Sequence, residues 1–171
     1  MTGVQTCALP ILLRSVNRGL LEFNMSGMFV TLLYGVLDPR QREFAYARAG
    51  HEPPLLQTPL GPLPAAAHRR GQLLGIFPEP ELDEQRVRLA AEGVLLLYTD
   101  GAREACDPAG RMFGDDGLRA ELAGGRSASA DAGAQALCDR LLERVGAHRG
   151  PQAQQDDITL LAVRAAAGAF D

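Results

Sequence analysis

Two apolar runs of strand length constrain the fold of this chain more than any other feature of its sequence. Residues 28–37 read MFVTLLYGVL, and residues 93–98 read GVLLLY. Apolar side chains follow one another in both runs with little polar alternation, which is typical of strands that are buried on both faces. The remainder of the 171-residue chain must therefore supply elements that cover these strands.

Helical and alternating segments surround the two runs. Apolar residues recur at helical spacing near the start of the chain and again after the second run, and other segments alternate as half-buried strands do. The predicted elements are a helix over 12–23, strands over 28–37, 43–49, 85–89 and 93–98, helices over 115–122 and 130–145, and a strand over 158–163. This order predicts an α+β fold in which helices cover the sheets.

Turn residues divide the strands into two predicted hairpins. The first joins the first apolar run to the alternating segment that follows it, through Asp38-Pro39. The second joins residues 85–89 to the second apolar run, with a turn at 90–93. Residues 58–72, between the hairpins, are rich in Pro, Ala and Gly and are predicted to form a loop.

Composition excludes several classes of protein. The net charge is −4, and phosphate binding needs a basic face, so nucleic acid is not expected as a partner. No apolar run approaches the roughly 20 residues that span a bilayer. Cys7, Cys106 and Cys138 are far apart and show no metal-site or disulfide spacing. These features predict a cytoplasmic protein, because free thiols persist in a reducing compartment.

The first eleven residues read MTGVQTCALPI and resemble the translation of a common sequencing adapter. The alternative is a natural N-terminal strand. We predict that residues 1–11 are non-native and make no core contacts, and that residues 12–171 form part of a single domain.

Acidic residues stand directly beside two predicted strands. Thr99-Asp100-Gly101 follows the second apolar run, and Asp156-Asp157 precedes the last predicted strand. A single Asp in such a place is usually a turn or cap residue. Two carboxylates at strand ends can instead converge on one hard cation, because Mg²⁺ and Mn²⁺ prefer oxygen ligands. If Asp100 and Asp156 share a cation, their carboxylates should lie within roughly 4–6 Å of each other.

His51 follows Ala49-Gly50 at the end of a predicted strand. No Ser or Cys is placed to form an evident triad with it. A lone His is more often structural or merely exposed, so we keep it only as a weak candidate for the site.

Six segments occur in the order seen in SpoIIE/RsbU-type phosphatases of the PPM (protein phosphatase 2C-like) class, which remove phosphate from phosphoserine and phosphothreonine. The resemblance covers almost everything from Leu12 to Arg164. The segments are FVTLLYGVLDP (29–39), YARAGHEPPLL (46–56), LLGI (73–76), GVLLLYTDGAREA (93–105), MFG (112–114) and QDDITLLAVR (155–164).

The resemblance implies a fold, a cofactor and a reaction. The fold is a PPM-type β-sandwich flanked by helices, in α-β-β-α layers. The cofactor is a two-metal centre of Mn²⁺ or Mg²⁺. The reaction is hydrolysis of protein phosphoserine or phosphothreonine by metal-activated water, which needs no covalent enzyme intermediate.

Site residues are carried over position by position from the resemblance. Asp100 matches the metal ligand of the TDG motif, and Asp156 matches the ligand in the final pair of Asp residues. Both would be catalytic. Gly101, Asp157 and His51 would lie around the metal ligands without binding the metals; His51 stands where eukaryotic-type relatives carry an Asp.

The sequence departs from the family by lacking a Gly-Asp motif and an Asp-x-x-Gly-His-Gly motif. We expect both upstream of Leu12, so that the domain is incomplete at its N-terminus, keeps about half of its metal ligands and is nearly inactive by itself. The resemblance implies a phosphorylated partner of the anti-anti-sigma type in bacterial partner-switching signalling, and an upstream sensor domain. The alternative is a non-catalytic phosphatase-like module that binds regulators.

Overall fold

A computed structural model describes residues 8–23, 27–58, 61–64, 71–124 and 133–165. This part of the chain contains four helices and seven strands, and the strands form two antiparallel sheets. The α+β class is thus confirmed. The chain divides into two compact units: residues 1–53 with 66–88, and residues 54–65 with 89–171. No helix in the described ranges is long and apolar enough to span a membrane.

The helices and strands follow one another in the order that the sequence predicts, with three additions, β3, β4 and α2. They are α1 (Ala8–Phe23), β1 (Leu32–Asp38), β2 (Glu43–Ala49), β3 (Leu55–Thr58), β4 (Gly61–Pro64), β5 (Asp83–Arg88), β6 (Val94–Tyr98), α2 (Asp100–Glu104), α3 (Gly114–Gly124), α4 (Ala134–Arg149) and β7 (Leu160–Arg164).

The first unit contains a three-stranded sheet in the order β1-β2-β5. β1 and β2 form the first predicted hairpin, in register from Leu32 opposite Ala49 to Asp38 opposite Glu43. The Asp38 carboxylate closes the turn, since its Oδ1 accepts hydrogen bonds from the backbone N–H groups of Arg40 and Gln41 at 2.9 and 3.1 Å.

Helix α1 covers this sheet and begins earlier than the sequence predicts. Leu9 and Leu13, four residues apart on one helical face, are buried. They pack in a cluster with Ala45, Ala47, Ala49 and Leu74. The prediction that residues 1–11 make no core contacts is therefore wrong for Leu9, because the apolar face of the helix continues into this segment. The non-native origin of the segment stays a prediction, and its first seven residues lie outside the described part of the chain.

A buried ion pair joins β2 to β5, a contact that sequence reasoning missed. The Arg48 guanidinium donates to Asp83 Oδ2 from Nε at 3.1 Å and approaches it with Nη2 at 3.0 Å. Both side chains are only 2% exposed. Arg48 Nη1 also donates to the carbonyl oxygen of His51 at 2.8 Å, and Asp83 Oδ1 accepts from Gln85 Nε2. The pair thus fixes the backbone immediately after β2.

The second predicted hairpin is wrong. Gly93 N–H donates to the Ala90 carbonyl at 2.9 Å, so the turn forms, but β5 pairs with β2 while β6 pairs with β3 and β7. Burial explains the difference. β5 alternates between buried residues and more exposed ones, which suits a sheet with one face in solvent, whereas the nearly continuous apolar side chains of β6 suit a sheet that is covered on both faces.

The second unit contains a four-stranded sheet in the order β4-β3-β6-β7, with α3 and α4 packed against it. β4 lies within the predicted 58–72 loop, so that prediction is wrong over 61–64. Pro62 and Pro64 have no N–H to donate, and β4 is accordingly an edge strand. One buried apolar cluster of this unit consists of Leu55, Leu96, Tyr98, Ala102, Leu118, Leu122, Leu137 and Leu141.

Replacing Leu9 by Ala tests the core contact of α1. Leu9 is 3% exposed, and truncating a buried Leu leaves a cavity, so we expect Leu9→Ala to lower the free energy of unfolding by about 3 kcal/mol. Ile11 on the same helix is 64% exposed, and Ile11→Ala should change it by less than about 0.5 kcal/mol. Urea denaturation measures both. Equal small effects would show that the start of α1 does not pack on the sheet.

Replacing Tyr46 by Phe tests a buried hydroxyl that finds no hydrogen-bond partner among the described residues. Burial, and then the Asp83 carboxylate, raise the pKa of Tyr46 to about 12, while Arg48 lowers it. The unfolded state therefore loses this proton first, near pH 10, and stability should fall as the pH rises from 10 to 12. Tyr46→Phe should be neutral or stabilising at pH 7, because no hydrogen bond is lost.

The same substitution should remove the part of the alkaline fall that Tyr46 causes. Tyr34→Phe is the matched control, since Tyr34 is 39% exposed, and this variant should keep that fall. Urea denaturation across the alkaline range measures both variants. If Tyr46→Phe lowers the free energy of unfolding at pH 7, the Tyr46 hydroxyl must have a hydrogen-bond partner, which would contradict its unpaired state among the described residues.

Candidate functional site

Because β6 pairs with β7, the two acidic motifs lie at the same end of these neighbouring strands. The strands are in register from Val94 opposite Arg164 to Tyr98 opposite Leu160. The ladder continues one step further, because Thr99 N–H donates to the Thr159 carbonyl at 3.1 Å. The residue after Thr99 is Asp100, so its backbone lies beside the segment that carries Asp156.

The Thr99 side chain fastens these two segments together. Its Oγ1 donates to the Asp157 carbonyl at 2.8 Å and accepts from Thr159 N–H at 2.9 Å. One hydroxyl thus satisfies two backbone groups of the neighbouring segment. We call this pair of bonds, with the Thr99–Thr159 backbone bond, the Thr99 clasp. Sequence reasoning named no role for Thr99; its signal was a hydroxyl residue between a buried strand and an Asp.

Gly101 allows the two backbones to approach closely. A Cβ at this position would overlap the Asp157 carbonyl oxygen and would lie 3.2 Å from the Asp156 carbonyl oxygen. Gly101 is not among the glycines with positive φ. A tight turn is therefore not the reason for a Gly here: the position needs a residue without a side chain because Asp156 and Asp157 lie against it.

Backbone hydrogen bonds hold one oxygen of each candidate carboxylate. Asp100 Oδ1 accepts from Gly101 N–H at 3.0 Å, and Asp156 Oδ1 accepts from Asp157 N–H at 2.7 Å. Both residues are exposed. The second oxygen of each carboxylate is directed to no partner within the described ranges and can accept a ligand. Close approach of the two carboxylates to each other stays a prediction.

These residues fit a metal only in part. Among the residues that the structure describes, no three His, Cys, Asp or Glu side chains are grouped to hold an ion. Asp100 and Asp156 provide oxygen donors of the right chemistry, but Mg²⁺ takes about six ligands. Two carboxylates do not form a complete two-metal centre by themselves, and the role of Asp100 and Asp156 as metal ligands stays a prediction.

His51 lies in the first unit, whereas both acidic motifs lie in the second. Its Nδ1 is 3.4 Å from Thr31 Oγ1, and its carbonyl oxygen accepts from Arg48. Its role near the metal ligands stays a prediction.

A loop built around Asp107 supports the segment before Asp156, and the sequence analysis did not find it. Asp107 Oδ1 accepts from the N–H groups of Ala109 and Arg111, and Oδ2 pairs with the Arg111 side chain at 2.7 Å. The backbone hydrogen bond from Arg111 is the largest of the effects that lower the pKa of the Asp107 carboxyl. Gln152 donates to the Asp107 carbonyl at 3.3 Å. The Asp-Pro-Ala-Gly turn at 107–110 was the available sequence signal.

A pocket of about 60 Å³ opens beside Asp156. Acidic, basic and amide residues line it, from α2, the end of α4 and the segments that follow these two helices. Its lining consists of Gly101, Glu104, Ala105, Cys106, Arg149, Gln152, Ala153, Gln154, Gln155, Asp156 and Ile158.

Comparison with known proteins gives one family match and one curated relative. The family model described as Stage II sporulation protein E (SpoIIE) matches residues 3–166. Protein IcfG of Synechocystis is 29% identical over 145 residues. The matched region is 83% of this chain but 22% of IcfG, so the chain spans about a fifth of that relative.

Solved structures with similar folds include phosphatase domains. The phosphatase domain of SpoIIE from Bacillus subtilis matches with a TM-score of 0.63 and 17% identity, over 100% of this chain and 77% of that one. A longer SpoIIE structure, a PP2C phosphatase domain with a fragment of the regulatory domain, gives 0.71 and 21%, over 91% and 43%. The RsbU and RsbW domains of a Mycobacterium tuberculosis protein give 0.67 and 28%, over 91% and 41%. The predicted PPM-type fold is confirmed.

Replacing Gly101 by Ala tests the close backbone approach. The added methyl group would meet the Asp157 carbonyl, so we expect Gly101→Ala to cost about 2 kcal/mol and to displace the segment carrying Asp156. Urea denaturation measures the cost, and the amide NMR shifts of Asp157 and Thr159 report the displacement.

Gly146→Ala is the control for this variant. Gly146 lies in α4 with nothing within 4 Å of an added Cβ, so Ala should stabilise the helix by about 0.5–1 kcal/mol. A Gly101→Ala variant that keeps both the stability and the amide shifts would exclude the tight approach.

Proposed function

The chain belongs to the SpoIIE family, and on that premise we propose that it is a metal-dependent phosphatase for phosphoserine and phosphothreonine in proteins. One observation carries the proposal: the Thr99 clasp brings the backbones of Asp100 and Asp156 together at one sheet edge. Carboxylates at a common edge suit a hard cation, and cations of this kind assist phosphoryl transfer.

We propose Asp100 and Asp156 as ligands of Mn²⁺ or Mg²⁺. When bound, such an ion neutralises charge on the phosphoryl group and acidifies the attacking water. The chain itself contributes positioning. Gly101 N–H and Asp157 N–H each hold one carboxylate oxygen, which restricts the rotation of both side chains. Ligands held in this way lose less conformational freedom when a cation binds.

Thr99 and Gly101 act through the same carboxylates. The hydrogen bond from Thr99 fixes the position of the Asp157 backbone beside the end of β6. Gly101 permits the close approach of this backbone because it has no side chain. Asp157 is therefore proposed as a positioning residue whose main chain holds Asp156, rather than as a metal ligand. His51 remains a proposed neighbour of the site.

The number of ligands sets the expected strength of metal binding. Two carboxylates supply few of the roughly six ligands that Mg²⁺ takes, so water must complete the coordination sphere. We therefore expect the 171-residue chain to bind metal weakly and to be nearly inactive, with turnover slow at best.

The proposed substrate is a phosphorylated regulatory protein of the anti-anti-sigma type, in the cytoplasm. The Mycobacterium tuberculosis structure that joins RsbU and RsbW domains in one chain supports such a signalling setting. A sensor domain elsewhere in the same protein is part of this proposal. The net charge of −4 also favours a protein substrate over a nucleic acid.

A non-catalytic module that binds a phosphorylated regulator is the second candidate. The partial ligand set within the described residues favours it. The two functions differ in one measurable respect, since a binding module retains the regulator's phosphate whereas a phosphatase releases it.

Asp100→Asn and Asp156→Asn test the metal ligands. Each substitution keeps the size of the side chain but removes its charge, so Mn²⁺ affinity and any Mn²⁺-dependent phosphate release should fall by more than roughly tenfold. Calorimetric titration with Mn²⁺ and release of phosphate from a phosphoserine peptide measure the two effects.

Asp139→Asn is the control, because Asp139 lies on the exposed side of α4, where it accepts from Gln135, and should leave both quantities unchanged. Unaltered Mn²⁺ binding in the Asp100 and Asp156 variants would refute the assignment. Binding of a phosphorylated regulator that leaves its phosphate intact and is unaffected by Mn²⁺ would favour the second candidate.

A further inference from the structure

Arg149 is a basic residue placed beside the acidic motifs. It is the last residue of α4, and Gly150, with φ of 63°, ends the helix directly after it. Its side chain lines the same pocket as Gly101 and Asp156, and it is the one basic residue in that lining. A group that enters this pocket therefore meets Arg149 and the edge of the candidate metal site together.

The Arg149 guanidinium has N–H donors that make no hydrogen bond within the described residues. Its Nε is buried and has no hydrogen-bond partner among the described residues. Nη1 donates to Gln154 Oε1 at 3.3 Å, which is a long contact for a charged donor. A ligand in the pocket cannot reach the buried Nε, but Nη2 makes no hydrogen bond within the described residues and can donate to an acceptor that the ligand brings.

Charges around the pocket indicate what kind of acceptor fits. Glu104 is paired with Arg103 at 2.9 Å, which leaves Asp156 as the unpaired carboxylate of the lining. A divalent cation at Asp100 and Asp156 would offset that charge. Arg149 then remains as a planar fork of donors, and such a fork matches the oxygens of a phosphoryl group.

We propose that Arg149 is a substrate-binding residue that donates hydrogen bonds to the phosphoryl oxygens of the substrate, and to inorganic phosphate as the product. This rests on the proposed function. It adds a specific anchor for the phosphoryl group, provided by the end of α4 and not by the strands that carry the acidic motifs.

The test titrates inorganic phosphate into the full chain in millimolar Mg²⁺. The amide NMR shifts of Gly101 and Ala105, which both line the pocket, report binding at this place. We expect saturable shifts in the unmodified chain, and roughly tenfold or greater weakening in Arg149→Ala, because a charged hydrogen bond is lost. Arg149→Lys should recover part of the affinity, since it keeps the charge but not the fork.

A control variant separates binding from structure. Arg144→Ala removes an Arg from the same helix, where it donates to Glu121, and should leave phosphate affinity unchanged. An equal loss in Arg144→Ala would mean that shortening any Arg of α4 weakens phosphate binding, and would overturn the proposal.

The remaining outcomes distinguish the two proposals. Phosphate binding that is absent from the unmodified chain, or equally strong in Arg149→Ala, overturns the role of Arg149. If Asp100→Asn still weakens Mn²⁺ binding in that case, the proposed function stands without Arg149. Phosphate binding that depends on Arg149, in a chain whose Mn²⁺ affinity Asp100→Asn leaves unchanged, supports the anchor and contradicts the proposed metal ligands.

Discussion

The register between β6 and β7 is the constraint on which the candidate site depends. Five paired positions carry the ladder from Val94 to Tyr98, and the Thr99 clasp extends it to the point where the chain leaves the sheet. A slip of one residue would turn every side chain of one strand to the other face. A slip would also break the Thr99 clasp and move Gly101 away from the Asp157 carbonyl, so these contacts determine where Asp100 and Asp156 lie.

The first unit depends on a different kind of interaction. Arg48 and Asp83 are buried together, and an ion pair of this kind gains little net stability over apolar residues, although removing one partner is costly. Its value here lies in geometry. The guanidinium joins β2 to β5 and also donates to the His51 carbonyl. The Arg48 side chain, from within β2, thus fixes the backbone that follows this strand.

Sequence reasoning succeeded where one local pattern decides the outcome. Apolar spacing predicted α1, α3 and α4, and turn chemistry at Asp38 predicted the hairpin of β1 and β2. It failed where partners come from distant parts of the chain. Residues 90–93 form a turn as predicted, yet β5 and β6 join different sheets because their burial requirements differ. Likewise, nothing local to the Pro-rich stretch over 58–72 showed that its residues 61–64 would become an edge strand beside β3.

The sequence by itself determined the family, the α+β class and the two acidic motifs, because these depend on residue types and their order. Only the tertiary structure decided how the motifs are held. Gly101 shows the distinction: its place in the TDG motif is visible in the sequence, but its steric reason is the backbone of Asp157, 56 residues later. Arg149 shows it again, since a helix-terminal Arg has no local signal for a role at the site, and its place beside Asp156 arises only when α4 packs against β7. Contacts between distant segments cannot be read from local patterns, because they depend on how the whole sheet is paired and covered.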